Sequence, residues 1–174
     1  MIEDDWQDNA TSLIERLLPL TLATICLLLE YVPIYIGIFN NIRPDFGLIA
    51  IYFWLLNRAD LFDLKSVVFI GLLDGILSAS AFGLGLFGYL LMYVLMVNLR
   101  KFLNGRSFLV IWYSFMALSL IILLVKWLVA AVYYGQFLPL TPLMFSYLQG
   151  VALYPLVSML LIMTQNIFVQ DDEL

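Results

Sequence analysis

Residues 108–134 read FLVIWYSFMALSLIILLVKWLVAAVYY, a run of 27 residues that contains one charged side chain, Lys126. A stretch of about 18 or more apolar residues is the usual criterion for a transmembrane helix. As an α-helix this run extends about 40 Å, which crosses a hydrocarbon core of about 30 Å with room for tilt. The run therefore indicates an integral membrane protein built from helices.

The rest of the chain has the same character. Of its 174 residues 64% are hydrophobic and 12% charged, and the mean hydropathy is +1.00. Soluble domains are about 45–50% apolar and about 25% charged. We predict an all-α integral membrane protein, with one transmembrane domain of about six helices, several of them short, and short acidic tails at both ends. The predicted spans are 13–31, 44–57, 66–79, 83–99, 108–134 and 143–168.

Three of these segments depart from a simple span. The apolar part of segment two, residues 46–56, rises only about 17 Å as a helix, so it must extend into its flanks, thin the bilayer or be shielded by protein. Small residues at 78–83 (SASAFG) favour a tight turn between segments three and four. Pro155 would kink segment six unless a neighbour satisfies the carbonyl that it frees.

The basic residues predict the orientation. If all six segments cross, six of the eight lie on the side of the N-terminus and only Arg43 lies opposite, with Lys126 inside segment five. Cytoplasmic loops carry the excess of Lys and Arg, so both termini are expected in the cytoplasm. Aromatic residues near segment ends suggest interfacial belts in contact with lipid. They include Tyr31, Trp54, Trp112 and Tyr133.

Missing residue types exclude several function classes. The chain has no histidine, so a histidine base, a Ser-His triad and a His-ligated metal are impossible. Its single cysteine, Cys26, lies in an apolar run and is read as a small hydrophobe. Residues 83–88 (GLGLFG) match a dinucleotide fingerprint in letters, but a helix and not a strand precedes them, so the glycines indicate a turn and close helix packing. We expect no enzymatic activity, no cofactor, no metal and no nucleic-acid partner.

Asp74 is the most informative single residue. It lies within an apolar helix, and an ionised Asp near the bilayer centre costs about 2.5–3.5 kcal/mol on insertion scales. Helical spacing places Gly71, Asp74, Gly75 and Ser78 on one stripe, and the G-x-x-x-G pair permits close approach of a second helix. We predict that Asp74 faces protein and that Ser78 can hydrogen-bond it. A structural contact is favoured, while a proton or ion site or a regulatory contact stays open.

Four other charged residues lie near the predicted outer boundary. The Lys126 stem can snorkel to the interface, which we favour over a buried ion pair. Glu30, Arg43 and Asp45 could form an extracytoplasmic polar cluster, which we expect to be solvated.

Three stretches in this order resemble the MreD family of rod shape-determining membrane proteins. They are the run from Arg43 through Pro44 and Asp45 to an apolar stretch ending at Trp54, residues 71–91 (GLLDGILSASAFGLGLFGYLL), and residues 150–163 (GVALYPLVSMLLIM) with Pro155 inside. The acidic N-terminal tail and Lys126 have no counterpart in the family pattern. The family is also distantly similar to the membrane subunits of energy-coupling-factor transporters, a likeness of fold that does not establish transport.

The resemblance implies a non-enzymatic scaffold of the bacterial cell-elongation machinery in the cytoplasmic membrane. Its implied partners are a single-span MreC-like protein and, indirectly, the MreB filament and the side-wall peptidoglycan synthases. A small-molecule carrier with a pocket near Asp74 is the alternative. The candidates for helix packing or partner contact are Arg43, Pro44, Asp45, Gly71, Asp74, Gly75, Ser78 and Pro155.

Overall fold

The structure, a computed structural model, describes residues 2–32, 43–78 and 83–169, with side chains placed between 17 and 165. The described residues form six α-helices, which confirms the predicted all-helical class. The helices are α1 (Ile2–Tyr31), α2 (Phe46–Asn57), α3 (Leu64–Leu77), α4 (Leu84–Leu103), α5 (Phe108–Tyr134) and α6 (Leu140–Val169).

Three of the helices are long and apolar enough to cross a membrane. They are α4, α5 and the part of α6 from Leu140 to Gln165. The apolar part of α1, Leu17–Tyr31, and the whole of α2 are shorter. The chain is therefore a helical membrane protein.

Helix α2 lies at the centre of the bundle. All ten residues from Gly47 to Leu56 are buried, and the helix packs against α1, α4 and α6. Of the three solutions expected for so short a segment, shielding by protein is the one observed. The interfacial prediction for Trp54 is wrong, because its side chain is 1% exposed and lies in this core. Tyr133, in contrast, is 70% exposed.

An aromatic stack joins α2, α5 and α6. The ring of Tyr154 lies 4.5 Å from that of Phe115, and both meet Tyr52 edge-on. The next residue, Pro155, has no N–H to donate to the carbonyl one turn earlier, that of Val151.

Trp112 of α5 supplies the missing donor. Its indole Nε1 donates to the Val151 carbonyl oxygen at 3.0 Å. The proline is thus accommodated because a neighbouring helix satisfies the freed carbonyl. Trp112 makes this contact between helices in addition to any contact with lipid.

Helices α3 and α4 form a tight antiparallel pair. A Cβ on Gly71 would lie 2.8 Å from the Cα of Leu86, so the two backbones meet here. A Cβ on Gly75 would meet no described atom within 4 Å. The expected glycine pair therefore acts at Gly71 alone, and Gly75 has no packing role among the described residues.

Candidate functional site

The functional groups of this chain gather at one end of the bundle. This polar cluster contains three carboxyl groups, two tyrosine hydroxyls and one ammonium group, contributed by α1, α3, α4, α5 and the residue before α2. Its members are Glu30, Tyr31, Asp45, Asp74, Tyr89 and Lys126.

Asp74 faces the interior of the bundle, as its helical stripe predicts. It is 6% exposed, and the Tyr31 hydroxyl donates to its Oδ1 at 2.5 Å. The other oxygen, Oδ2, lies against Gly85 of α4, where an added Cβ would be only 1.7 Å away. The Ser78 side chain interacts with the Tyr31 hydroxyl, while its backbone N–H donates to the Asp74 carbonyl oxygen at 2.8 Å.

Asp45 caps the N-terminus of α2. Its Oδ1 accepts from the Leu48 N–H at 2.8 Å and from the Tyr89 hydroxyl at 3.3 Å. Its Oδ2 lies 3.7 Å from the ammonium nitrogen of Lys126. A carboxylate at a helix N-terminus satisfies an otherwise unpaired N–H and interacts favourably with the helix dipole. This one residue thus fixes α2 to α4 and α5.

Glu30 adds a second carboxyl group at the same helix end. It lies beside the Gly47 N–H and near Lys126, Asp45 and Asp74. Its Oε2 is buried without a hydrogen-bond partner among the described residues. Lys126 is the basic residue near all three carboxyl groups.

Lys126 forms an ion pair with Asp45, which the sequence leaves as the second alternative to snorkelling. Its side chain is only 25% exposed. The stem crosses α4 at Gly88, where a Cβ would be 2.7 Å from the Lys126 Cδ, and the Nζ lies 5.9 Å from the Tyr89 ring centre. Gly85 and Gly88 therefore make room for Asp74 and Lys126, respectively.

The residues before α2 close the edge of the cluster. The Arg43 guanidinium lies 5.4 Å from the Tyr31 ring centre, and the Arg43 carbonyl accepts a hydrogen bond from the Ser146 hydroxyl of α6. Pro44 is half-buried, and its carbonyl accepts from the Phe46 N–H at 2.9 Å. Glu30 and Asp45 come together in a partly buried site and not the solvated one expected, while Arg43 is exposed and contacts the Tyr31 ring.

A cavity of about 260 Å³ adjoins the cluster between α5 and α6. Asp45 and Lys126 lie on its wall, and apolar side chains such as Leu48, Ile122 and Val151 make up most of the rest. It is close to the low end of small-molecule sites, which are about 300–1,000 Å³.

The arrangement can hold helices together in apolar surroundings, where hydrogen bonds are strong because water does not compete. Among the described residues, no group of three or more acidic or sulfur side chains is placed to hold a metal ion. No family model, no curated protein and no solved structure matches this chain.

Sequence reasoning found Asp74 and Asp45 but missed their tyrosine partners. Tyr31 was assigned to an interfacial belt, and Tyr89 was not considered. A signal was present at Tyr89, because the tyrosine directly follows Gly88 in a glycine-rich helix that faces Asp74. Pro155 acts in helix packing through Val151, as described above. Any contact of these candidates with a partner protein stays a prediction.

Proposed function

We propose that this chain is a non-enzymatic membrane scaffold of the bacterial cell-elongation machinery, similar in role to MreD. The observation that supports the proposal most is the convergence of its family-like motifs. Asp45 of the first motif and Asp74 of the second both belong to the polar cluster, which joins the first five helices through side-chain contacts. Residues used in this way give a rigid frame, which is what a scaffold needs.

The frame also presents apolar helix surfaces on which a membrane partner can pack. On α6, Leu148, Leu156 and Leu160 are each more than half exposed, and on α5 Val132 is 79% exposed. Helices associate in lipid through close packing and occasional hydrogen bonds. We propose a single-span MreC-like protein as the direct partner, and the MreB filament and the side-wall peptidoglycan synthases as indirect ones. The proposed location is the bacterial cytoplasmic membrane, with both termini in the cytoplasm.

Two experiments on the full chain test this proposal. A tagged copy, extracted from its host in mild detergent, should bring down the MreC-like protein. The control is a version of that partner whose membrane span is replaced by an unrelated apolar helix of equal length. This version should not co-purify with the tagged chain. Depletion of the chain should turn rod-shaped cells round. Recovery of the chain without the partner, together with normal shape after depletion, would refute the scaffold.

A carrier of small molecules is the second candidate, and the cavity between α5 and α6 favours it. Depletion separates the two candidates, since loss of a carrier should create a nutrient requirement in cells of normal shape.

A further inference from the structure

We propose that the cavity between α5 and α6 binds one acyl chain of an anionic phospholipid, whose phosphate accepts hydrogen bonds from Lys126. This inference does not rest on the scaffold proposal, because a lipid can occupy the cavity whether or not a protein partner binds. Three features support it, namely the spare donors of Lys126, the length of the cavity below that residue and an open glycine on its wall.

The first feature is the chemistry of the polar groups on the wall. The hydroxyls of Ser119, Ser146 and Tyr147 already donate to backbone carbonyls within the protein. They are therefore poorly available to recognise a water-soluble ligand, which needs several convergent polar groups. Asp45 likewise accepts two hydrogen bonds at one oxygen and the ion pair at the other.

Lys126 differs from these groups because it has donors to spare. An ammonium has three N–H donors and no acceptor. Within the protein it faces one carboxylate oxygen at 3.7 Å and one aromatic ring at 5.9 Å. Its nitrogen can thus donate to a phosphate that enters the cavity. Lys126 is thus a group on this wall that can bind an anion, while most of the remaining wall is apolar.

The second feature is depth. Along α5, the wall runs from Phe115 to Tyr134, and the part of it between Lys126 and Phe115 is about 16 Å of helix. Half of a bilayer's hydrocarbon core is about 15 Å. The cavity below Lys126 therefore has the length of one leaflet, which suits a single acyl chain. Lys126 lies about 12 Å from the end of α5, and α5 exceeds the hydrocarbon core by about 10 Å in all, or about 5 Å at each end, so its Cα lies about 7 Å inside the core, a depth from which a lysine stem can extend toward the headgroup region.

The third feature is Gly150 of α6. It is buried and lines the cavity, yet a Cβ built on it would meet no described atom within 4 Å. Glycine inside a helix is less favourable than alanine by about 1 kcal/mol in water-soluble hosts. Packing within the described chain does not require glycine here, and its small size keeps the cavity open for an occupant.

The test measures lipid retained by the purified full chain in native mass spectrometry, with phosphatidylglycerol and phosphatidylcholine of identical acyl chains as probes. Wild type should retain one phosphatidylglycerol, with about a fivefold preference over phosphatidylcholine, the effect of one basic residue near anionic lipid. Gly150→Leu should fill the cavity and lower retention by about tenfold or more, a loss that matches filling of a specific site. Gly75→Leu is the matched control, because that glycine is equally unhindered but lies outside the cavity.

Lys126→Gln should abolish the headgroup preference while the acyl chain is still retained. Melting temperatures of all variants show whether each protein is folded. If Lys126→Gln is not folded, Gly150→Leu still tests the site. Equal retention of phosphatidylglycerol by wild type and folded Gly150→Leu would overturn the site, because the lipid would then be annular. Equal retention of the two lipids by wild type would overturn the role of Lys126.

Discussion

Replacing Gly85 by alanine tests whether the polar cluster holds α4 against α3. The new Cβ would lie 1.7 Å from Asp74 Oδ2 and 2.9 Å from its Cγ, which no pair of non-bonded atoms tolerates. The carboxyl group must rotate away, because the backbone of α4 is already in contact with α3 at Gly71. Rotation separates Asp74 Oδ1 from the Tyr31 hydroxyl, its hydrogen-bond donor.

The expected magnitude follows from two opposing effects. Loss of a hydrogen bond to a buried carboxyl group costs about 1–3 kcal/mol, while Gly→Ala within a helix returns about 1 kcal/mol. Gly85→Ala should therefore lower the free energy of unfolding by about 1 kcal/mol. Gly75→Ala meets no described atom and should raise it by about 1 kcal/mol, so the two variants should differ by about 2 kcal/mol.

Unfolding in mixed micelles, followed by circular dichroism, measures this difference. In an Asp74→Ala background the clash is absent. Gly85→Ala should there raise the free energy of unfolding, as Gly75→Ala does in the wild-type background. If Gly85→Ala is as stable as Gly75→Ala in the wild-type background, the contact between Asp74 and Gly85 does not constrain the bundle and the reasoning fails.

Three further predictions concern topology, Pro155 and Asp74. Reporters fused to the C-terminus should give cytoplasmic signals and reporters in residues 135–142 periplasmic ones; a cytoplasmic signal from that loop would contradict the proposed orientation. Trp112→Phe should cost about 1–2 kcal/mol of unfolding free energy but much less in a Pro155→Ala background, where the new N–H satisfies the same carbonyl; additive effects in this double-mutant cycle would exclude the contact. If Asp74 is structural, Asp74→Asn should retain partner capture in pull-downs and Asp74→Leu should weaken it; equal loss of rod-shaped growth in Asn and Leu variants that stay folded and partner-bound would instead indicate proton transfer.

The sequence was informative where helical periodicity and membrane thickness act together. The interior orientation of Asp74 could be predicted because a carboxyl group in lipid is costly, and α2 was recognised as too short because the hydrocarbon core has a known thickness. The carbonyl freed by Pro155 was also foreseeable, although its donor was not, since Trp112 lies 39 residues away along the chain.

What the sequence could not supply was the distinction between lipid and protein as neighbours. Both are apolar, so Trp54 looks the same in a core as in an interfacial belt. The sequence favours snorkelling of Lys126 because it gives no sign of the neighbouring carboxylate. That carboxylate belongs to Asp45, and the lysine stem reaches it across Gly88 of α4. Gly71 and Gly75 share a motif, yet only one of them faces α4, because helices in a short antiparallel pair touch over a limited length.

The enclosure of α2 has a consequence for biogenesis. A helix of 12 residues rises about 18 Å and does not match a bilayer by itself, and one of its neighbours, α6, is the last of the six described helices to be synthesised. Native burial of α2 is therefore completed only after synthesis passes residue 140. Any product that stops before this point leaves a face of α2 uncovered and becomes a substrate for membrane quality-control proteases.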